Sequence, residues 1–208
     1  MLEIVQVPAG PLATNAFVVI DPMTSEALIV DAPPDSAARI EVEVMARKAN
    51  PVAVVITHGH WDHIEDTAAV RDRYGIPVMV HDLDRPKLED PEGHEFPAVT
   101  PDTILADGDT VGLGNHVLQV MHTPGHCEGQ ISLYHPESGT LLGGDTLFPN
   151  GYGRVDIPGA SEADTLRSME RLLTLPDDVT VYPGHGATTT IGQERPWMER
   201  VVSTGRLL

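Results

Sequence analysis

Short apolar segments recur along the chain and alternate with polar stretches that are rich in Gly and Pro. Their shortness and their content of Val, Ile and Leu favour β-strands. The segment 52–56 (VAVVI) is apolar at every position, which predicts a strand buried on both faces. The predicted strands are 4–7, 16–20, 27–30, 52–56, 77–80, 117–121, 131–134, 140–142 and 179–182.

Longer segments carry apolar residues at helical spacing. In the first of them Ile40, Val44 and Met45 form the apolar face, and Asp35 precedes it as the predicted N-terminal cap. In the third, Ser161 is placed to cap the helix, with an acidic residue three positions later. The predicted helices are 36–48, 64–74, 161–173 and 193–202.

The order of these elements predicts the fold class. Strands come first, then strands and helices alternate, and the same order of elements is repeated in the second half of the chain. This order favours an α/β protein in which two sheets carry helices on their outer faces, rather than one doubly wound sheet. No linker or change in composition divides the chain, so residues 1–208 are predicted to form a single domain. The polar, Pro-rich segment 83–101 is predicted to be a long surface loop.

The composition of the chain argues against several classes of partner and cellular location. The 208 residues carry a formal net charge of −18, which argues against nucleic acid and anionic membranes as partners. One Cys excludes a disulfide within the chain, and the segment MLEIVQVPAG lacks the features of a secretory signal. No apolar run reaches the roughly eighteen residues of a membrane span. A cytoplasmic protein is therefore expected, and its oligomeric state stays open.

Histidine is unusually frequent, with ten His against nine aromatic residues. Three of the ten lie within one segment of six residues, His58-Gly-His60-Trp-Asp62-His63, directly after the predicted strand 52–56. Neutral imidazoles and ionised carboxylates are good ligands for divalent first-row metals. Gly59 allows this loop to bend, so the cluster is predicted to face one or two metal ions.

A single tight loop cannot complete two coordination shells, so further ligands must come from elsewhere in the chain. Three residues stand beside Gly just after predicted strands: His126 in TPGH, Asp145 in GGDT and His185 in YPGHG. Strand ends deliver side chains to one rim of a sheet, where open sites form. These three residues are predicted to join the 58–63 cluster.

The pattern of seven ligands, in this order along the chain, resembles the metallo-β-lactamase superfamily. The segments 153–156 (GRVD) and 182–192 (YPGHGATTTIG) resemble, more closely, the short bacterial glyoxalase II-like hydrolases. The resemblance implies a four-layer αβ/βα sandwich. It assigns His58, His60 and His126 to one metal. It assigns Asp62, His63 and His185 to a second metal, with Asp145 bridging the two.

The resemblance also implies a chemistry. Two divalent metals, with zinc expected and iron or manganese as alternatives, would share a bridging hydroxide that attacks the substrate carbonyl. Asp62 is the candidate to orient that hydroxide or relay its proton. Asp31 is predicted to orient a ligand loop. Arg154 and Asp156 either form a structural ion pair or face the substrate. The expected reaction is hydrolysis of a small anionic thioester, as in hydroxyacylglutathione hydrolases.

Several alternatives remain at this point. Persulfide dioxygenases resemble the same scaffold and hold one iron, here on His58, His126 and Asp145. A lactone or other ester is an alternative substrate, because the 23 residues after His185 are expected to be too few for the helical extension that holds glutathione in longer glyoxalase II enzymes. A metal-binding module without catalysis is the third alternative. Cys127 is interpreted as a small buried residue, and the remaining histidines are interpreted as ordinary: His81, His94, His116, His122 and His135.

Overall fold

The computed structural model describes residues 1–91 and 93–208, and its strands form two six-stranded sheets. The strands of the first sheet lie side by side in chain order, with the first three antiparallel and the last four parallel. They are β1 (Glu3–Ala9), β2 (Thr14–Ile20), β3 (Glu26–Val30), β4 (Asn50–Val55), β5 (Val78–His81) and β6 (Thr103–Leu105).

The second sheet is built from the C-terminal half of the chain. Its strands are β7 (Thr110–Leu113), β8 (His116–His122), β9 (Ile131–His135), β10 (Thr140–Gly144), β13 (Thr180–Pro183) and β14 (Thr189–Thr190), and the short ribbon between β10 and β13 consists of β11 (Leu147–Phe148) and β12 (Gly151–Tyr152). The strand order is β14–β13–β10–β9–β8–β7. Only β10 and β13 are parallel neighbours in this sheet.

Helices cover the outer faces of both sheets. They are α1 (Ala37–Arg47), α2 (Trp61–Ile64), α3 (Thr67–Tyr74), α4 (Arg85–Glu89), α5 (Glu162–Leu172) and α6 (Ile191–Thr204). Ile40 of α1 and Val70 of α3 pack into one core with the first sheet, whereas Met169 of α5 and Met198 of α6 pack into another with the second sheet. None of the helices in the described ranges has both the length and the apolarity needed to cross a bilayer.

A third core fills the space between the two sheets. The first sheet contributes Leu28 and Val55, and the second contributes Leu118, Leu133 and Leu142, all of them buried. With a core on each outer face and one in the middle, the layers run helix, sheet, sheet, helix. The predicted four-layer α/β sandwich is confirmed.

The apolar segment 52–56, most of which lies in β4, is explained by its position between two cores. Successive side chains of a strand point to opposite faces of the sheet. Ala53 and Val55 accordingly enter the core between the sheets, while Val54 and Ile56 enter the core beneath α1 and α3. Because both faces are buried from Ala53 onwards, the chain leaves β4 on a rigid support before it enters the His-rich loop.

The predicted cap of α1 was wrong. The residue at the N-cap position is Ser36, and its side chain makes no capping hydrogen bond. Instead the carboxylate of Asp66, from the loop before α3, accepts a hydrogen bond from the Ala37 N–H at 2.8 Å. The apolar face of α1 consists of buried Ile40 and Val44, whereas Met45 is exposed. In contrast, Ser161 caps α5 as predicted by accepting from the N–H of Asp164.

Other boundaries differ from the prediction because tertiary contacts interrupt local patterns. The predicted helix 64–74 is two helices, because Asp66 turns away to cap α1 and α3 starts only at Thr67. The predicted loop 83–101 contains a 3-10 turn (Asp82–Asp84) and α4; Glu92, within it, lies outside the described residues. The last helix extends beyond 193–202. The strands β6, β7, β11, β12 and β14 were missed because they lack a continuous apolar run.

Truncation of Leu133 tests the core between the sheets. We expect Leu133→Ala to lower the free energy of unfolding by about 2–5 kcal/mol, because the side chain is fully buried there and its removal leaves a cavity. Val117→Ala on the adjacent strand is the matched control, since Val117 is 54% exposed, and its effect should stay within about 0.5 kcal/mol. Urea unfolding measures both values, and equal losses would contradict the assignment of the core.

Candidate metal centre

Four loops bring the seven predicted ligands together at one end of the two sheets. The loops follow β4, β8, β10 and β13, and the one-turn helix α2 holds two of the ligands. Parallel and antiparallel strands of both sheets end at this rim, so residues that are far apart in the chain meet there. The residues that meet are His58, His60, Asp62, His63, His126, Asp145 and His185.

Their donor atoms form two groups, and the carboxylate of Asp145 lies within reach of both. One group consists of His58, His60 and His126, and another of Asp62, His63 and His185; within each, the donor atoms lie within 4.8 Å of one another. The Asp145 carboxylate lies between these groups. Its Oδ2 is 3.5 Å from Nε2 of His126 and 3.4 Å from Nε2 of His185, and its Oδ1 is 3.4 Å from Nε2 of His63. A carboxylate in this position could contact a cation held by either group.

Unpartnered buried atoms show that cations fit here. His58 Nε2, His63 Nε2 and Asp145 Oδ1 are buried and have no hydrogen-bond partner. Buried polar groups in native proteins are almost always paired, because leaving them unpaired is costly. These three atoms converge within 4.8 Å of one another. Divalent cations would satisfy all three at once, since imidazole nitrogens and carboxylate oxygens are their usual ligands.

The glycine that precedes His185 is required by the packing of the centre. A Cβ atom at Gly184 would lie 2.2 Å from Asp145 Oδ1 and 2.7 Å from a ring carbon of His63. Both contacts are far shorter than atoms tolerate. The chain can therefore pass beneath the carboxylate only with Gly at position 184. The same argument applies to Gly153, whose Cβ would lie 2.1 Å from the backbone oxygen of Asp145.

The group of three imidazoles is suited to bind a cation at neutral pH. Burial and the neighbouring His63 lower the pKa of His58 well below its ordinary value. Burial, followed by His126, lowers the pKa of His60 to about 4. Burial also lowers the pKa of His126. The three rings are consequently neutral near pH 7, and a neutral ring nitrogen has the lone pair that a metal needs.

The second group holds protons that a cation would displace. Burial acts to lower the pKa of His63, but the carboxylates of Asp145 and Asp31 outweigh it and raise that pKa well above its ordinary value. Burial also opposes the charge of His185, yet its hydrogen bonds with Asp145 and Asp62 raise the pKa to about 9. For Asp145 burial acts to raise the pKa, and His63 and His185 hold it well below its ordinary range.

Asp31 lies where an orienting residue is needed. Its Oδ1 accepts the backbone N–H of Thr57 at 2.7 Å, and its Oδ2 accepts the Thr57 hydroxyl at 2.8 Å. The same Oδ2 is 2.8 Å from Nδ1 of His63, so the opposite nitrogen of that ring faces the centre. Asp31 has a positive φ of 60°, which Asp adopts more readily than most residues. It thus joins the end of β3 to the His-rich loop.

Asp84 is a positioning residue that sequence reasoning missed. It is fully buried and accepts three hydrogen bonds: the Gly59 N–H at 3.0 Å, the Lys87 ammonium at 2.7 Å and the Cys127 thiol at 3.2 Å. It therefore links the loop of His58 and His60 to the loop of His126. Its sequence context, DLDRPK, contains no signal of this role, because the partners lie 25 and 43 positions away.

The sequence analysis also missed Thr14, which contacts two of the predicted ligands. Its hydroxyl donates to Oδ2 of Asp62 at 2.8 Å. The same residue forms a β-bridge with His185, and the adjacent Asn15 N–H donates to the Gly184 carbonyl at 2.7 Å. The start of β2 therefore closes the centre from the side of the first sheet.

The structure separates the roles of the remaining candidates. The Arg154 guanidinium makes two hydrogen bonds to Asp156, at 2.9 and 3.0 Å, and both side chains are about 70% exposed. The contact of Arg154 with the centre comes from its backbone carbonyl, 2.9 Å from Nδ1 of His126. Cys127 is buried, as predicted, and burial together with Asp84 raises the pKa of its thiol well above the ordinary value.

Comparison with known proteins identifies the family. The sequence profile of the Metallo-beta-lactamase superfamily matches residues 9–185, a span that contains all seven ligand positions. The chain belongs to this superfamily. With its cluster of His and Asp ligands it is a metal-dependent hydrolase of that superfamily.

Individual members of the superfamily are similar over most of the chain. Hydroxyacylglutathione hydrolase from Brucella anthropi is 33% identical over 168 residues, which cover 81% of this chain and 59% of that enzyme. The crystal structure of BLEG-1 B3 metallo-beta-lactamase has a TM-score of 0.87 and 36% identity, over 93% of this chain and 97% of that one. The crystal structure of TTHA1623 in a di-iron-bound form has a TM-score of 0.81 and 33% identity, over 92% and 96%.

Two hollows flank the centre and share His60 and Trp61. The larger, of about 520 Å³, runs over the ligands and is bounded by Leu12, Phe148, Tyr152, Arg154 and Ile157. The smaller, of about 410 Å³, lies on the other side of Trp61. The Trp61 ring stacks on His94 there, with centroids 5.8 Å apart. A small substrate can thus reach the centre from an open, largely apolar surface.

Metal binding should release protons. A metal-free protein at about pH 7.5 carries a proton on His185, whose pKa is about 9, and a second on His63. We expect Zn²⁺ to displace about one to two protons and its affinity to rise as the pH increases towards about 9. Titration calorimetry in buffers of different ionisation enthalpy measures this number. His94→Gln is the control that should not change it, and a heat independent of the buffer would contradict the assignment.

Substitution of Asp84 tests its positioning role. We expect Asp84→Asn to lower metal affinity by about 10–100-fold, because the neutral amide no longer balances Lys87 and cannot accept all three hydrogen bonds that tie the two ligand loops together. Competition with a chromophoric chelator measures the affinity. Asp82→Asn is the matched control in the same turn, since Asp82 is exposed and forms an ion pair with Arg85. Equal affinities of the two variants would refute the role.

Proposed function

We propose that this chain is a dinuclear metal hydrolase that cleaves thioesters, of the hydroxyacylglutathione hydrolase type. The observation that carries the proposal is the pair of ligand groups that meet at the carboxylate of Asp145. A mononuclear site would leave Asp62, His63 and His185 without a cation. The similarity to the hydroxyacylglutathione hydrolase of Brucella anthropi supports the choice of thioesters.

The residues of the centre fit two divalent cations. The three neutral imidazoles would hold one, and Asp62, His63 and His185 would hold the other, with Asp145 between them. When bound, such cations polarise a carbonyl and deprotonate a water molecule near neutral pH. Zinc is the proposed metal, because His and Asp ligands suit it. Iron is the alternative that the di-iron form of TTHA1623 supports.

Asp62 is the residue proposed to orient the attacking water and accept its proton. Burial acts to raise the pKa of Asp62, but the hydrogen bond with His185 outweighs it and the pKa is lowered, so the side chain is ionised. Its Oδ2 accepts from Thr14 at 2.8 Å and lies 3.3 Å from Nε2 of His185. These contacts hold the carboxylate in place and leave Oδ1 as the oxygen that receives the proton.

The larger hollow suits a substrate with an apolar and a polar part. Leu12, Phe148 and Ile157 offer apolar contacts, and Arg154 stands at the rim. Because Arg154 is paired with Asp156, it contributes little net positive charge. In a protein of net charge −18, the attraction of an anionic thioester must therefore come mainly from the cations themselves. Binding of the substrate is accordingly expected to depend on the loaded metal.

Hydrolysis of S-lactoylglutathione by the zinc-loaded protein tests the proposal. We expect Asp62→Asn to lower kcat by about 10²–10⁴-fold, because the variant loses the proton acceptor. Asp156→Asn is the matched control, since it alters an exposed ion pair and should keep kcat within about twofold. Loss of thioester absorbance is the readout, and elemental analysis confirms the metal content. No turnover by the protein with two zinc ions would refute the thioester proposal.

A second candidate is ring opening of lactams or lactones, which the similarity to BLEG-1 B3 metallo-beta-lactamase favours. The same centre would serve, because both reactions add hydroxide to a carbonyl carbon. Parallel assays with a chromogenic β-lactam and a lactone separate the candidates by their kcat/KM. Oxygen uptake with glutathione persulfide by an iron-loaded protein, without thioester hydrolysis, would instead indicate the mononuclear dioxygenase that uses His58, His126 and Asp145.

A further inference from the structure

A second cluster of potential metal ligands lies at the opposite end of the second sheet. His116 begins β8 and His135 ends the neighbouring antiparallel strand β9. Glu137 follows in the 3-10 turn Pro136–Ser138. The metal centre described above lies beyond the opposite end of β8, towards His126. The sequence analysis interpreted His116 and His135 as ordinary residues, since neither shows a ligand motif and they are 19 positions apart.

The donor atoms of this cluster are close to metal-ligand spacing. Nδ1 of His116 is 3.2 Å from Nε2 of His135, and the two rings are at 79° to each other. Oε2 of Glu137 is 3.8 Å from the first nitrogen and 4.0 Å from the second. Ligands of a tetrahedral cation at about 2.0–2.1 Å are about 3.4 Å apart. Glu137 is 81% exposed and can move the few tenths of an ångström that closure requires.

The other nitrogen of each ring faces an oxygen. Nδ1 of His135 is 2.7 Å from the Ser138 hydroxyl, which itself donates to Thr140 and so presents a lone pair to the ring. Nε2 of His116 is 3.9 Å from Oδ1 of the buried Asp21. Histidines that bind metals usually direct their second N–H at such a partner, which leaves the first nitrogen free for the cation.

A competing arrangement exists without a cation. The backbone N–H of Ser138 also approaches Nδ1 of His135, at 3.2 Å. If Nδ1 accepts this bond, the proton of His135 lies on Nε2 and is donated to Nδ1 of His116. The cluster is then a hydrogen-bonded pair. A cation and this proton compete for the same two nitrogens, so the two states are mutually exclusive.

Burial and charge favour the cation. His135 is 1% exposed, and burial followed by His116 lowers its pKa, so the ring is neutral near pH 7. The carboxylates of Asp21 and Glu137 lie on either side of His116. A cation placed between the imidazoles would therefore meet two ring nitrogens and two carboxylates, in a protein that is strongly acidic overall.

We propose that His116, His135 and Glu137 form a separate binding site for a divalent cation of the zinc type. Two imidazoles and a carboxylate suit Zn²⁺, Ni²⁺ and Cu²⁺ rather than Mg²⁺ or Ca²⁺. With three protein ligands the coordination leaves one position to solvent. The bound ion would join the start of β8 to the end of β9 and stabilise this end of the sheet, independently of hydrolysis.

The experiment counts zinc ions on protein whose principal centre is already filled. Titration calorimetry of Zn²⁺ into the protein with two equivalents bound should reveal a third, and His116→Gln and Glu137→Gln should each weaken it by at least about tenfold. The melting temperature should rise with the third equivalent in the wild type and not in His116→Gln. Thioester turnover is expected to be the same in these variants, because the site is at the other end of the sheet.

Matched controls make the result decisive. His94→Gln and Glu199→Gln change exposed residues outside the cluster and should keep the third equivalent. The melting temperature of each variant without added zinc establishes that it folds. A Co²⁺ titration adds an independent readout, because a tetrahedral site intensifies the visible absorption. Saturation of the wild type at two equivalents would overturn the proposal, as would a third equivalent that persists in the double variant of His116 and Glu137.

Discussion

The charge balance around Asp145 is the interaction on which the rest of the centre depends. A buried carboxylate contacts imidazoles from three loops, and buried atoms of His58, His63 and Asp145 itself have no hydrogen-bond partner. Such a cluster is costly without cations, because each unpaired group has lost its hydration. Two divalent ions would replace protons on the imidazoles of His63 and His185 and neutralise the carboxylates. Metal binding is consequently expected to stabilise this end of the fold.

The surrounding structure serves to keep these ligands at fixed positions. The two-sided burial of β4 and the core between the sheets make the support rigid, and two buried carboxylates then fix the loops. Asp31 holds the His63 ring by its outer nitrogen, while Asp84 joins the loop of His58 to that of His126. Gly184 leaves room for the carboxylate of Asp145. The predicted ligands thus lie on loops, and residues that are not themselves predicted ligands hold those loops in position.

The net negative charge of the protein affects what each of its two His clusters attracts. Arg154 is paired with Asp156 at the rim of the larger hollow, so the protein itself offers little positive charge to an anionic substrate. Cations bound at the proposed centre would supply it. At the opposite end of the second sheet, acidic residues again surround a pair of imidazoles. Both clusters place imidazoles beside carboxylates, and this negative environment favours the binding of cations.

Local patterns in the sequence predicted the longer strands, the two sheets with helices on their outer faces, and the seven residues that the structure brings together. A buried strand has an apolar pattern that a short window reveals, and the ligands of the 58–63 loop are adjacent in the chain. The helix break at Asp66, the links made by Asp84 and Thr14, and the pairing of His116 with His135 were decided only by tertiary structure. Each joins residues that are 19 or more positions apart and have no distinctive context. Hydrogen bonds between such residues depend on where the two sheets place their loops, and the order of residues along the chain does not indicate that placement.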